Sequence, residues 1–275
     1  MAKAGGRRAD PLYVSMYRRR TGERRPIPPF ELRARIGIRP TNLSGFFETG
    51  EEVAATVRRA LADGGAPLEE AQALLDFGCG CGRVISHLAR DNGHAVRLHG
   101  CDVDANAVAW AGRAYPSVDF TASGYAPPLP YPDGRFDVLY SISILTHLDE
   151  TSQDAWLAEL KRILAPGGVA LLTTNGEHVL DWYLTSPAAV ERVHGMRERL
   201  AARGRLGDEG FVFEPYTRAA WHDADFSGVE ESYGLTFHSE RYVRERWGEW
   251  FEVLRFEPAA INSGQDLVLV AKRHG

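Results

Sequence analysis

Long apolar stretches are missing from this chain of 275 residues, although 44% of its residues are hydrophobic. No run of eighteen apolar residues occurs, and the first thirty residues carry arginines where a secretory signal would need its apolar core. We therefore expect no membrane partner and no export, and we predict a cytoplasmic protein. The length suits one large globular domain, or one domain with a cap, and the composition excludes disordered and fibrous proteins.

Cysteine is scarce as well. The chain has three, an odd number, and they cluster at Cys79, Cys81 and Cys101. This pattern favours a reducing compartment over a disulfide framework.

Lysine supplies only three of the 32 basic residues, and the charge is unevenly distributed. Residues 1–39 hold eleven basic and three acidic side chains, a net +8, so that the remainder of the chain carries −13. A basic arm can bind nucleic acid or an acidic surface. Because no aromatic stacking pattern or nucleic-acid module accompanies the charge, we favour a solvated, partly disordered tail and expect no nucleic-acid partner.

The rest of the chain alternates between strand and helix patterns. Helices are predicted at 46–62, 83–90, 104–114 and 151–164. Strands are predicted at 72–77, 95–101, 118–121, 136–141, 169–174, 251–256 and 266–271. This order predicts an α/β fold, a doubly wound and mostly parallel seven-stranded sheet with helices on both faces.

A glycine-rich turn follows the first predicted strand, at residues 76–83 (DFGCGCGR). Glycine at every second position from 78 to 82 lets the backbone turn tightly and approach a ligand. A dinucleotide fingerprint would need glycine at position 83, where this chain has Arg83, so nicotinamide and flavin cofactors are disfavoured.

A carboxylate ends the second predicted strand. Asp102 lies twenty residues after Gly82, where an acidic side chain can accept hydrogen bonds from both hydroxyls of a ribose. Ligands of such sheets bind at the carboxyl ends of the strands, so the turn and Asp102 together predict a nucleoside site.

These segments resemble, in order, the motifs of class I S-adenosylmethionine-dependent methyltransferases, whose fold is Rossmann-like. The matching runs are 74–83 (LLDFGCGCGR), 100–111 (GCDVDANAVAWA), 126–141 (APPLPYPDGRFDVLYS) and 159–172 (ELKRILAPGGVALL). Two further runs resemble a bacterial branch that methylates small molecules and glycans, namely 46–50 (FFETG) and 140–150 (YSISILTHLDE). The resemblance covers about residues 70–175 and implies S-adenosylmethionine as cofactor.

The resemblance assigns the methionine end of the cofactor to the glycine-rich turn. Gly78 and Gly80, with Cys79 between them, would lie against the methionine portion. Asp76 would order the loop or contact the amino group. Ser141, at the end of strand four, would face both methionine and acceptor.

The adenosine end would be bound by the residues that follow strands two and three. Asp102 would bind the ribose hydroxyls and Val103 the adenine face, and the backbone of Tyr125 or Ala126 would meet the edge of the base. Many relatives carry an acidic residue where this chain has Tyr125, so the usual carboxylate contact to the adenine amino group is missing. For Asp76 and Asp102, helix capping is the structural alternative to cofactor binding.

Convergence of the three cysteines on a metal is the competing interpretation of this region. A metal there would occupy the space that the cofactor needs. We therefore expect no metal site.

The sulfonium of S-adenosylmethionine is already an activated methyl donor, so the protein must mainly align the reacting groups. A base is needed for a hydroxyl acceptor, whereas an amine must mainly arrive unprotonated. His147 and His178, which follow strands four and five, are the candidate catalytic residues, and His222 and His238 lie in the later insert. His147 fits a structural hydrogen-bonding role equally well. Oxygen and nitrogen acceptors both remain open.

The chain divides into a basic arm (1–39), a helical lid (40–69), a core (70–175 and 241–275) and an aromatic insert (176–240). The insert is too long for a simple connection, and we expect it to cap the acceptor pocket. Its aromatic and arginine side chains suit a sugar, an aromatic ring or an anionic small molecule.

We favour a small-molecule methyltransferase that acts in sugar or natural-product biosynthesis. A nucleic-acid or protein methyltransferase that uses the basic arm is the first alternative. Against it, strand four continues as Ser141-Ile142-Ser143-Ile144 rather than as an Asn/Asp-Pro-Pro motif, and no Pro-Cys nucleophile occurs. The second alternative is a cofactor-binding protein that does not methylate. A homodimer is left open.

Overall fold

The computed structural model describes residues 2–35, 39–90, 96–186, 196–203, 206–216, 232–261 and 264–273. Nine strands are described: β1 (Ala73–Phe77), β2 (Arg97–Asp102), β3 (Val118–Ala122), β4 (Phe136–Ser141), β5 (Leu164–Thr174), β6 (Phe211–Pro215), β7 (Gly234–His238), β8 (Glu252–Glu257) and β9 (Asp266–Ala271). They form a seven-stranded and a two-stranded sheet.

The large sheet has the strand order β3-β2-β1-β4-β5-β9-β8. Strands β1 to β5 are parallel, and β9 pairs antiparallel with both β5 and β8. The chain places β2 and β4 on opposite sides of β1, so the strand order reverses there and opens a crevice at the carboxyl ends. The predicted doubly wound, mostly parallel seven-stranded sheet is confirmed.

One strand boundary differs clearly from the prediction. β5 begins at Leu164, directly after the preceding helix, whereas the Pro166-Gly167-Gly168 sequence predicted a break before residue 169. Leu164 pairs with Phe136, and the register then shifts before Val138 pairs with Val169. The register shift therefore accommodates Pro166, Gly167 and Gly168 within the pairing of β4 with β5.

Nine α-helices are described: α1 (Ala2–Thr21), α2 (Phe30–Arg33), α3 (Leu43–Asp63), α4 (Ile85–Arg90), α5 (Ala105–Ala114), α6 (Glu150–Ile163), α7 (Glu177–Thr185), α8 (Met196–Arg203) and α9 (Glu240–Arg246). Four have side-chain caps, in which an Asn, Asp or Ser oxygen accepts a backbone N–H: Asn42 for α3, Asp104 for α5, Asp149 for α6 and Ser239 for α9. None of the helices in the described part of the chain is long and apolar enough to cross a bilayer.

Each face of the large sheet carries its own apolar core. Leu74 of β1 belongs to the core beneath α3 and α4, whereas the next residue, Leu75, belongs to the core beneath α6. Successive side chains of a strand point to opposite faces, so a strand that is buried on both faces reads as a continuous apolar run.

Part of the basic arm packs on the fold. The ring of Tyr17 in α1 stacks on Phe47 of α3 at 6.3 Å between centroids, and the Arg25 guanidinium lies 4.0 Å from the same ring. Arg33 is buried and donates to the Pro40 carbonyl at 2.8 Å. The contacts of Tyr17 and Arg25 place arm residues against α3, in a segment that the sequence predicts as a solvated tail.

The insert contains helices and a hairpin that periodicity did not predict. Strands β6 and β7 pair antiparallel, and the buried carboxylate of Glu214 on β6 is paired with Arg199 and Arg203 of α8. In the hairpin, Thr236 Oγ1 donates to the carbonyl of Leu148, a residue beyond the end of β4, at 2.6 Å. This bond brings β7 against the segment that follows β4.

Candidate cofactor and acceptor site

The glycine-rich turn is held over the end of β2. The amides of Gly78 and Cys79 both donate to the Cys101 carbonyl, at 2.8 and 3.0 Å. Gly78 and Gly80 have φ angles of +82° and +53°, in the left-handed region that favours glycine. The turn therefore depends on glycine for its conformation and on neighbouring β2 for its position.

Asp102 is oriented by the same turn. Its Oδ2 accepts from the Gly80 amide at 2.7 Å, and its Oδ1 accepts from the Asp104 amide at 2.8 Å. Burial raises the pKa of this carboxyl, while the two backbone hydrogen bonds act in the opposite direction. Each oxygen has one fixed donor, which leaves lone pairs for a ligand.

Asp76 lies deeper, at the end of β1. It is 3% exposed, and the Tyr140 hydroxyl donates to its Oδ2 at 2.7 Å. Burial raises the pKa of Asp76 to about 7, although the hydrogen bond from Tyr140 lowers it. The carboxyl therefore titrates near neutral pH in the free protein.

The three cysteines are buried and unpaired. The Cys79 sulfur faces β2, since a Cβ added to Gly100 would lie 3.0 Å from it. Burial raises the pKa of all three thiols. No group of three or more metal-ligating side chains occurs among the residues that the structure describes.

The residues expected at adenine follow the carboxyl ends of β2 and β3. Val103 follows Asp102 and is half-buried, whereas Tyr125 and Ala126 follow β3 and are exposed. Tyr233, next to β7, lies close enough to Asp102 and Tyr125 for their charges to act on it. Burial, followed by these charges, raises the pKa of Tyr233 to about 12.

His147 is held by the hairpin of the insert. Its Nδ1 lies 2.9 Å from the Gly234 carbonyl oxygen and 3.1 Å from the Tyr216 hydroxyl. Its ring stacks on Tyr233 with 5.3 Å between centroids. Burial lowers the pKa of His147, and the Gly234 carbonyl partly opposes this shift. Among the described residues, none forms a hydrogen bond with Nε2.

The other histidines occupy different surroundings. His178 is half-exposed on α7, and its Nε2 donates to the Gly264 carbonyl. His238 is fully buried, its Nε2 contacts Gln153 Oε1 at 2.9 Å, and burial lowers its pKa to about 3. His222 lies outside the described residues. Of the candidate histidines that the structure describes, His147 is the one that lies against Tyr233, the insert residue near Asp102.

Comparisons with known proteins show the family of the chain. A family model described as a methyltransferase domain matches residues 74–168. A probable S-adenosylmethionine-dependent methyltransferase of Mycolicibacterium smegmatis is 36% identical over 209 residues, which cover 73% of this chain and 76% of that protein. The chain belongs to the class I S-adenosylmethionine-dependent methyltransferases.

This methyltransferase is also similar to the 27-O-demethylrifamycin SV methyltransferase of Amycolatopsis mediterranei. The two are 34% identical over 209 residues, which cover 66% of this chain and 72% of that enzyme. Among solved structures, the 1,6-didemethyltoxoflavin-N1-methyltransferase of Burkholderia thailandensis matches with a TM-score of 0.51 at 16% identity. That match covers 84% of this chain and 85% of the other, and it shows a shared fold.

The residues present fit the methyltransferase's cofactor, S-adenosylmethionine. A Cβ added to Gly80 would have no atom within 4 Å, so open space lies beside the turn. The hydroxyl of Ser141 is buried at the end of β4 and has no hydrogen-bond partner among the described residues. Buried polar atoms of this kind are ordinarily satisfied by a ligand or water.

Some neighbours of His147 had no signal in the sequence. Tyr216 and Tyr233 stand out only as aromatic residues of the insert, and nothing in the local sequence singles out Gly234. Its carbonyl reaches His147 across 87 residues of chain because β7 docks beside the β4 end.

Proposed function

We propose that this protein transfers a methyl group from S-adenosylmethionine to a hydroxyl oxygen of a small molecule, with His147 as general base. The observation that carries the proposal is the contact between His147 Nδ1 and the Gly234 carbonyl, at 2.9 Å.

The contact fixes the tautomer of the ring. A carbonyl oxygen can only accept, so Nδ1 carries the hydrogen and donates it to Gly234. The Tyr216 hydroxyl, 3.1 Å from Nδ1, can then serve as a second acceptor. In the neutral ring the lone pair is therefore on Nε2, the nitrogen that can take a proton from an acceptor hydroxyl.

The surroundings keep this ring neutral. Because burial lowers the pKa of His147 below its ordinary value near 6.5, the imidazole is unprotonated at pH 7. A base in this state can act without first losing a proton. An amine acceptor would have less need of it, so the arrangement favours oxygen.

We propose the following roles for the residues around the turn. Asp102 accepts from the ribose hydroxyls, Val103 borders adenine with the Tyr125–Ala126 backbone, and Gly78, Cys79 and Gly80 border the methionine portion. Asp76 and Ser141 border the same portion from the ends of β1 and β4. The cofactor supplies a methyl group on a positively charged sulfur. The protein aligns acceptor and sulfur and excludes water, effects worth up to about 7–11 kcal/mol of the barrier.

The acceptor side is assigned to the insert, with 176–240 as cap and 40–69 as lid. The rings of Tyr216 and Tyr233 lie 5.7 Å apart beside His147, a surface suited to a sugar ring or an aromatic ring. The Amycolatopsis relative is by its name a methyltransferase for a rifamycin oxygen, which supports a hydroxyl-bearing natural product as the acceptor class.

The test is a screen of purified protein with S-adenosylmethionine and matched hydroxyl and amine compounds, including sugars, phenols and macrocyclic natural products. Release of S-adenosylhomocysteine and the mass of the methylated product are measured for wild type and His147→Asn. The proposal predicts O-methylated products whose formation is lost in the variant. Products methylated only on nitrogen, with unchanged rates in the variant, would refute it.

A further inference from the structure

Arg83 occupies the position where a dinucleotide fingerprint would have glycine, and its side chain reaches the lid helix α3. Its Nη1 donates to Thr49 Oγ1 at 2.9 Å. The Thr49 hydroxyl in turn donates to the Gly45 carbonyl at 2.6 Å, so its lone pairs are directed at the guanidinium. The position of Nη1 is thereby fixed, while Nε and Nη2 of the guanidinium can still donate hydrogen bonds to a ligand.

The helix approaches Arg83 closely. A Cβ added to Gly50 would lie 2.6 Å from the Arg83 carbonyl oxygen and 3.1 Å from its Cγ. Glycine at position 50 therefore permits α3 to pack directly on the residue that follows the glycine-rich turn. The Thr49-Gly50 pair of the FFETG run has a physical role here, since one residue makes room for Arg83 and the other binds it.

Arg83 has no anionic partner in the described part of the chain: no carboxylate there lies within 4 Å of its guanidinium nitrogens. Burial lowers the pKa of Arg83, and the charge of Asp76 is among those that oppose the shift. Asp76 thus acts on Arg83 through its charge but forms no ion pair with it, and the Oδ2 atom of Asp76 accepts a hydrogen bond from the Tyr140 hydroxyl. A cation withdrawn from water without a partner is costly, and a ligand anion would offset that cost.

We infer that Arg83 binds the carboxylate of the methionine portion of S-adenosylmethionine, and that Thr49 positions it. The inference rests on the proposed placement of methionine beside Gly78 and Gly80, three to five residues before Arg83. With Nη1 on Thr49, the Nε–Nη2 edge of the fork matches the two oxygens of a carboxylate. A carboxylate on the methyl acceptor is the competing ligand for this edge.

The inference is tested by calorimetry with two ligands, S-adenosylhomocysteine and its decarboxylated analogue, which keeps the amine and the adenosine. The proteins are wild type, Arg83→Gln, Arg83→Lys and Thr49→Val, with Arg90→Gln as the matched control. Arg90 is an exposed arginine of α4 that pairs with Glu51 at 3.3 Å. The measured quantity is the affinity ratio of the two ligands, which cancels general effects on the pocket.

Wild type and Arg90→Gln should prefer S-adenosylhomocysteine over the analogue by about tenfold or more, as expected for a charge-assisted arginine–carboxylate pair. Arg83→Gln should bring the ratio close to one while binding of the analogue stays nearly unchanged. Arg83→Lys and Thr49→Val should give intermediate affinity ratios. The lysine variant keeps the positive charge but loses the planar guanidinium, and the valine variant loses the hydroxyl that holds Arg83 Nη1.

Equal weakening of both ligands by Arg83→Gln, or equal binding of both by wild type, would overturn the inference. An unchanged preference in Arg83→Gln would do the same and would direct attention to the acceptor as the anion. If Arg83→Gln does not fold, Arg83→Lys decides by the same ratio. Failure of wild type to bind either ligand would instead contradict the proposed function, so the two failures are distinguishable.

Discussion

The Gly80 amide donates a hydrogen bond to Asp102 Oδ2 across 2.7 Å, which joins the turn after β1 to the carboxylate that ends β2. In the sequence, the glycine-rich turn and Asp102 were linked only by their spacing. In the structure, a hydrogen bond connects them directly. A change of backbone at the turn should therefore alter the orientation of the carboxylate proposed to bind ribose.

Alanine substitutions at Gly78 and Gly80 should differ in their effect on the stability of the fold. Both have positive φ, which costs an L-residue about 1–2 kcal/mol. A Cβ at Gly78 would also overlap the Ile144 side chain, whereas a Cβ at Gly80 would meet only open space. We expect Gly78→Ala to lower Tm more than Gly80→Ala, by scanning calorimetry. The reverse order would contradict the described packing.

The Gly80→Ala variant should also be impaired in ligand binding. Because the open space beside Gly80 is the proposed methionine site, Gly80→Ala should weaken S-adenosylhomocysteine binding although its fold is retained. Unchanged affinity in Gly80→Ala would place the cofactor elsewhere along the turn.

Asp76 should make the free protein less stable as pH rises. Its pKa is about 7 in the folded state, above the ordinary 3.8, so the unfolded chain loses this proton first as pH increases. Stability from this group is present below pH 4 and is lost between about pH 4 and 7. Asp76→Asn should therefore stabilise the protein at pH 8.5, by up to about 4 kcal/mol, and much less at pH 5.

Urea unfolding at the two pH values, without cofactor, measures this difference. Asp119→Asn is the matched control, because its carboxylate is exposed on β3. A stabilisation by Asp76→Asn that is equal at both pH values would show that Asp76 is ionised in the folded protein throughout.

His147→Asn should lower kcat for a hydroxyl acceptor by about 10²–10⁴-fold, the usual contribution of a general base. In wild type the rate requires the neutral ring, and burial lowers the pKa of His147. The acidic limb of the pH profile should therefore lie below pH 6.5 and disappear in the variant. His178→Asn, on half-exposed α7, should leave both kcat and the limb intact. If the acidic limb disappeared in His178→Asn and remained in His147→Asn, His178 would be the base.

Removal of residues 1–35 should destabilise the protein and weaken cofactor binding. The arm covers Phe47, and Leu32 packs in the same apolar cluster with Phe46, Cys81 and Ala107. Each large apolar side chain uncovered costs about 1.5–3 kcal/mol. Thermal unfolding and S-adenosylhomocysteine titration measure both effects. If the truncated protein kept its stability but lost a salt-sensitive binding of RNA that the full chain shows, the nucleic-acid alternative would be supported instead.

Local sequence patterns were sufficient to predict the sheet. The central strands β1 and β4 are short and largely apolar, β8 mixes apolar and polar residues, and the turn residues have strong conformational preferences, as at Gly78 and Gly80. Asp102 could be placed beside the turn because parallel neighbours align their carboxyl ends. The helical content of the arm was missed because α1 carries glycines and a proline, with its apolar residues spread around the helix.

The surroundings of His147 and Arg83 could not be predicted in the same way. Gly234 reaches His147 only because a distant hairpin docks on the β4 end, and Thr49 reaches Arg83 only because α3 packs beside the turn. Such contacts depend on tertiary packing between segments that are far apart in sequence.

The most direct test of the proposed cofactor site is calorimetric titration of S-adenosylhomocysteine into wild type and Asp102→Ala. We expect measurable binding to wild type and a loss of about 10–100-fold in the variant, because hydrogen bonds to a charged group contribute about 1.5–3 kcal/mol. Equal affinity of the two proteins, or no binding to wild type, would contradict the proposed site.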